Sequence, residues 1–329
     1  MRAGAVAISN LVRDRESGES EFAAAVVHGL SQKPKSLPSR FFYDARGSVL
    51  FEMITRLPEY YLTRTETAIL DAHATEMVDG LPSHGVLVEF GSGSSLKTEI
   101  LLAAAPAGMA YVPIDVSEAA LADAGHRLVR RFPELDVRPI VGDFSRPIRF
   151  PADLVRRPKL GFFPGSTIGN LSPANAVELL SGFARSLGAD SRLIVGVDLK
   201  KDVQQLVAAY NDRFGVTAAF NLNLLARINR ELGGSIDLAT FRHEALYNSS
   251  EGRIEMHLVS WVAQDIRVAG RHFRLEAGDS IHTENSYKYA IEQFRDGARA
   301  AGWHATRVWT DKEQQFSVHE LVAMPKAPD

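Results

Sequence analysis

Between Thr63 and Ser191 the chain alternates short apolar runs with stretches whose apolar positions recur at helical spacing. The runs Val86 to Phe90, Ala110 to Ile114, Val137 to Val141, Lys159 to Phe163 and Arg192 to Val197 are nearly continuous and apolar. That pattern predicts strands covered on both faces. Helical spacing falls between them, near Lys97 to Ala104, Glu118 to Phe132 and Pro173 to Leu187. Helix-start chemistry agrees: Thr63 and Glu66 have capping-box spacing, Ser117 is placed as an N-cap, and Ser172 precedes Pro173 at a first helical position. Strands alternating with helices predict an α/β fold built on a parallel sheet.

The pattern changes after Asp198. Lys201 to Gly215 and Val216 to Leu232 read as two helices, followed by strand-like segments around the turn Ser249-Ser250-Glu251-Gly252. A helix from about Tyr289 to Ala301 and strands from Trp303 to Trp309 and Gln315 to Met324 then resume the first pattern. The link between these last strands is short, so they are expected to pair as an antiparallel hairpin. The predicted organisation is an N-terminal segment (1–62) packing with an inserted α+β module (201–288), and a doubly wound domain in two parts (63–200 and 289–329).

Composition narrows the function. With 329 residues, 45% of them hydrophobic, the chain is long enough to bury a full core. Its 37 basic and 40 acidic residues give a formal charge of -3 and form no long single-sign block, which points to a small-molecule partner rather than nucleic acid or membrane. No apolar run approaches the roughly 20 residues of a membrane span, and the first residues lack a signal-peptide core, so a cytoplasmic protein is expected. The absence of cysteine excludes disulfides and thiolate chemistry. Ten histidines show no compact ligand spacing, and no metal is expected.

The candidate chemistry lies at the strand ends. In VLVEFGSGSSLKT an apolar strand enters a turn at Gly91 and Gly93 and passes straight into a helix, an arrangement that brings backbone and unpaired N–H groups close to a nucleotide. Dinucleotide loops want a third glycine where this chain has Leu96, which counts against a nicotinamide oxidoreductase. Asp115 ends the second strand, where an acid can accept from vicinal ribose hydroxyls. Asp143 and Phe144 end the third, where they could bond and pack against adenine, and Gly165 to Asn170 follow the fourth. Each has a plainer reading: a helix-entry carboxylate for Asp115, a turn acid for Asp143, and a solvated lysine for Lys97. Together they favour S-adenosylmethionine, and the sheet with its edge hairpin is the architecture of a Rossmann-like class I methyltransferase.

The segments KSLPSRFFYDARGSVLFEMITRLPEYYLTRTE, VEFGSGSSLKT, FFPGSTIGNLSP, YNDRFGVTAAFNLNLLARINRELG, RIEMHL and IHTENSYKY carry a more specific likeness. From about Lys35 to its C-terminus the chain resembles the L-histidine N-alpha-methyltransferases of ergothioneine biosynthesis. The resemblance implies three successive methyl transfers from S-adenosylmethionine to the α-amine of histidine, giving hercynine. It implies cofactor contacts at Gly91, Lys97, Asp115, Asp143 and Phe144, and substrate contacts at Tyr43, Tyr60, Asn170, Tyr210, Met256, Glu284 and Ser286. In that scheme Tyr60 and Tyr210 bind the carboxylate, and Tyr43 and Asn170 act as catalytic residues orienting the amine. Glu284 and Ser286 address the imidazole nitrogens, and Met256 packs on the ring. A monomer is expected. The competing readings are a related enzyme acting on tryptophan, for which the Glu284 carboxylate has no use, and a non-catalytic nucleotide-binding sensor.

Overall fold

The computed structural model describes residues 15–93 and 95–325. The start of the expected N-terminal segment and Ser94 of the glycine loop therefore lie outside the described residues. In chain order the helices are α1 (Arg15–Ser31), α2 (Ala45–Ile54), α3 (Tyr61–Val78), α4 (Thr98–Ala104), α5 (Glu118–Arg131), α6 (Pro173–Leu187), α7 (Val203–Tyr210), α8 (Val216–Leu232) and α9 (Ile291–Ala300). The strands are β1 (Lys35–Ser36), β2 (Val86–Phe90), β3 (Ala110–Asp115), β4 (Asp136–Val137), β5 (Ile140–Val141), β6 (Lys159–Phe163) and β7 (Arg192–Asp198). They continue with β8 (Phe241–Asn248), β9 (Arg253–Ser260), β10 (Gln264–Val268), β11 (Arg271–Leu275), β12 (Ser280–Tyr287), β13 (Trp303–Thr310) and β14 (Phe316–Ala323).

The chain divides into two compact units. One takes the residues up to Tyr60 with Leu206–Tyr247 and Ile254–Glu284; the other takes Tyr61–Gln205, Asn248–Arg253 and the residues from Asn285 onward. The second unit holds an eight-stranded sheet in the order β13-β14-β7-β6-β2-β3-β4, with β5 also on β3. Pairing is parallel from β7 through β6, β2 and β3 to β4 and β5, whereas β14 runs antiparallel to both β7 and β13. This is the class I methyltransferase sheet with its antiparallel edge hairpin. Its inner strands β2, β3, β6 and β7 are largely apolar because both faces are covered, and Phe90 stacks on Phe183 of α6 at 3.8 Å between ring centroids within that core. Chain order reverses on either side of β2, so a crevice opens beyond the carboxyl ends of β2 and β6, the place where such sheets bind ligands.

Three local expectations are corrected. The expected strand from Val137 to Val141 is two short pieces, β4 and β5, because Pro139 has no N–H to give the ladder. The helix expected to start at the Thr63–Glu66 capping box starts earlier, at Tyr61, so Glu66 lies inside α3 and spends its carboxylate elsewhere. The helix expected over Lys201 to Gly215 is only Val203–Tyr210, since Asp212 accepts from the N–H groups of Phe214, Val216 and Thr217 and so caps α8 instead.

The first unit carries most of a four-stranded sheet, β1-β12-β9-β8, together with the β10–β11 hairpin and helices α1, α2 and α8. The hairpin β8–β9 turns at Ser249–Gly252, where the sequence places its turn residues.

Candidate active site

At the crevice the glycine loop is built by backbone geometry that side chains disfavour. Gly91 and Gly93 have φ of 73° and 47°. A Cβ at Gly91 would stand 3.1 Å from the Phe144 ring, so that glycine and that phenylalanine lie against each other; a Cβ at Gly93 would meet only open space. The Gly93 N–H donates to Asp115 Oδ2 at 2.8 Å, while Asp115 Oδ1 accepts from the Ser117 N–H at 2.8 Å. Asp115 is therefore both a helix-entry carboxylate and the link from the end of β3 to the glycine loop. Asp143 accepts from the Ser145 N–H and makes the turn that presents Phe144. Lys97 has a protein partner: its ammonium pairs with Glu66, which is buried and also accepts from the Gly165 N–H at 2.9 Å. Glu66 thus ties α3 and the start of α4 to the loop after β6.

Glu89, on β2 beneath the loop, is fully buried and accepts from the Tyr111 hydroxyl, which also bonds Ser95 Oγ at 2.9 Å. Burial pushes the Glu89 carboxyl up to about 7, against the opposing pull of Tyr111, Thr98, Lys97 and Ser95. A folded-state value above the unfolded one means that Glu89's contribution is fully present below about pH 4.5 and is lost as pH rises to about 7. Glu89→Gln should therefore gain stability relative to wild type across that interval, by up to about 3 kcal/mol, with no further change above it. Melting curves from pH 4 to 8 measure this, and parallel curves for the two proteins would contradict it.

The loop after β6 is held from beneath by a second buried network. Ser166 adopts φ of 54°, a left-handed conformation, and its Oγ accepts from the Asp198 N–H at 2.9 Å. The turn Thr167–Asn170 follows, and a Cβ at Gly169 would stand 2.8 Å from the Tyr287 carbonyl oxygen, so only glycine lets this turn seat against the end of β12. That seat sets Gly169, the neighbour of Asn170, against Tyr287, the neighbour of Ser286. Asp198, at the end of β7, is wholly buried; it accepts from the Tyr61 hydroxyl and pairs with Lys201 and Lys288. Burial lowers the Lys201 ammonium to about 8 even though Asp198 favours its charged form. The Lys288 ammonium, in turn, donates to Ser286 Oγ at 2.7 Å. Glu66, Tyr61, Asp198, Lys201 and Lys288 were not among the expected site residues. Asp198 had a legible signal, since it closes the fifth strand as Asp115 closes the second.

In the first unit, Tyr43, Tyr60 and Tyr210 belong to one aromatic cluster. Tyr43 meets Phe51 and Phe220 edge-on at 5.5 and 5.7 Å, Phe51 meets Tyr60 at 6.4 Å, and Tyr60 meets Tyr210 at 6.2 Å. Tyr43 is exposed, whereas Tyr60 and Tyr210 are buried. The Tyr210 carbonyl is engaged by His243 Nε2 at 2.8 Å, and burial lowers that imidazole below its ordinary pKa. Met256 is buried in the alternation Ile254, Met256, Leu258, and its carbonyl accepts from Thr283 Oγ1. Glu284 and Ser286 fall two apart on the extended β12 and share one face of the strand. Glu255, His257 and His282 also converge on the neighbouring strands β9 and β12, with the two rings stacked at 4.8 Å. Sequence spacing hid this group because one member comes from another strand.

Comparison with known proteins matches residues 22–323 to the model of a family described as histidine-specific methyltransferase, SAM-dependent. The chain belongs to that family. It is 43% identical over 295 residues to the Histidine N-alpha-methyltransferase of Mycolicibacterium smegmatis, covering 88% of this chain and 91% of that one. It is 39% identical over 308 residues to the protein of the same name from Mycobacterium tuberculosis, covering 92% and 95%. To Ergothioneine biosynthesis protein 1 of Neurospora crassa it is 33% identical over 88% of this chain but only 33% of that longer one. Membership in this SAM-dependent family excludes the nicotinamide oxidoreductase and disfavours the sensor. The geometry of this histidine-specific methyltransferase suits S-adenosylmethionine, because the loop offers open space at Gly93, a fixed carboxylate at Asp115 and an aromatic face at Phe144. No described helix is long and apolar enough to cross a membrane.

Proposed function

We propose that the protein trimethylates the α-amine of L-histidine to hercynine, acting as a cytoplasmic monomer that opens ergothioneine synthesis and engages neither nucleic acid nor membrane. The observation that carries this reading is the seating of the Asn170 turn against the strand end that bears Ser286, in the same unit as the donor loop.

S-adenosylmethionine, when bound, supplies an electrophilic methyl carbon and a neutral thioether as leaving group. Gly91, Asp115, Asp143 and Phe144 would hold its adenosyl part, and Lys97 would contribute through Glu66 and the Gly165 N–H to the shape of the pocket. Tyr60 and Tyr210 take the histidine carboxylate by hydroxyl donation. Their neutrality adds no charge beside an amine that ends as trimethylammonium. The nucleophile is the neutral amine, and desolvation favours that form. Tyr43 and Asn170 would orient its lone pair for the transfer. Each of the first two methylations would leave a proton on the amine to be released to water before the next. Glu284 and Ser286 hold the imidazole, with Met256 against its ring.

Mass spectrometry after incubating the protein with histidine and S-adenosylmethionine tests the reading. Three added methyl groups are expected on histidine and none on tryptophan. Transfer to tryptophan at a comparable rate, or no transfer to either, would overturn it.

A further inference from the structure

Lys288 is a fully buried lysine that the reaction above does not use. Its ammonium lies 2.8 Å from Asp198 Oδ2 and 2.7 Å from Ser286 Oγ, and its side chain has no exposure. Burying an ammonium and a carboxylate together costs several kcal/mol in desolvation, which the pair recovers only with good geometry and further hydrogen bonds. The backbone supplies that geometry. The Lys288 N–H donates to the Gly252 carbonyl and the Tyr289 N–H to the Asp198 carbonyl, while Leu199 and Tyr289 form an isolated parallel bridge. The Tyr61 hydroxyl, at 2.8 Å from both Asp198 carboxylate oxygens, completes the hold.

The chemical consequence falls on Ser286. An ammonium has three donors and no acceptor, so Ser286 Oγ must accept from Lys288. A serine oxygen loaded by a cation at this distance is a poorer acceptor for a second N–H, and its own O–H is polarised as a donor. We infer that Lys288, pinned by Asp198, sets the hydrogen-bond polarity of Ser286 so that the serine donates to the unprotonated ring nitrogen of a neutral imidazole. On this assignment, which rests on the proposed histidine specificity, Lys288 is a positioning and specificity-determining residue. It selects against side chains that offer only an N–H there, such as indole or imidazolium.

Steady-state kinetics on wild type, Ser286→Ala, Lys288→Met and the double variant, with calorimetric titration of S-adenosylmethionine, tests this. Lys288→Met should raise the KM for histidine about 10-fold, keep kcat within about threefold, and leave donor affinity unchanged. In the Ser286→Ala background the same change should add less than about twofold, because its effect passes through the serine. An equal factor in both backgrounds, or no effect in either, would overturn the inference. If thermal melting shows that Lys288→Met does not fold, Lys288→Gln enters the same cycle, removing the charge while keeping a donor. Should Ser286→Ala leave KM unchanged while wild type still trimethylates histidine, the inference falls and the function stands. Should wild type not methylate histidine, the function itself falls.

Discussion

Replacing Asn170 by alanine is expected to lower kcat for histidine methylation about 100-fold while S-adenosylmethionine binds within about threefold of its wild-type affinity. Asn170 ends a turn whose shape is set by groups that the substitution leaves alone. Gly169 donates to the Ser166 carbonyl, Ser166 is held by the Asp198 N–H, and Gly169 seats on the Tyr287 carbonyl. The donor loop at Gly91 and Gly93 is tied instead to Asp115 and Ile114. Alanine therefore removes the amide proposed to orient the amine, without moving the backbone that carries it. Single-turnover rates and calorimetric titration separate the two effects. An unchanged trimethylation rate would remove Asn170 from the amine, and an equal loss of donor affinity would assign it to the donor.

Asp198→Ala is expected to cost about 3 to 5 kcal/mol of folding stability, the loss typical of breaking a buried ion pair by deleting one partner. The substitution strips the Asp198 carboxylate from Lys201, from the buried Lys288 and from the Tyr61 hydroxyl. Adding Lys288→Met should recover part of the loss, because one stranded ammonium is then gone. Denaturant unfolding with fluorescence detection measures both. A loss below about 1 kcal/mol would show that the lysines are hydrated rather than held by Asp198.

Much of the frame of this candidate site was legible because two rules act locally. A strand buried on both faces must be apolar, which made β2, β3, β6 and β7 visible. Ligands gather at the carboxyl ends of parallel strands, which singled out Gly91, Asp115, Asp143, Phe144 and Asn170. The tie from Gly93 to Asp115 and the approach of Gly91 to Phe144 follow that rule. Where local rules misled, a distant group had claimed the residue. Glu66 had capping-box spacing, but its carboxylate serves Lys97 and Gly165, far along the chain. Pro139 was readable as a ladder breaker, yet the apolar residues around it concealed the interruption.

The sequence alone settles the order of strands and helices, the glycine turn and the family, because backbone propensity, apolar periodicity and motif spacing are properties of neighbouring residues. It has no access to pairings between residues separated by roughly a hundred positions or more. Asp198 with Tyr61, Gly169 against Tyr287 and Glu66 with Gly165 arise only when the sheet stacks its strand ends along one edge. Burial there strips water from charged groups, which makes each partner matter and turns Lys288 from one lysine among many into the group that orients Ser286.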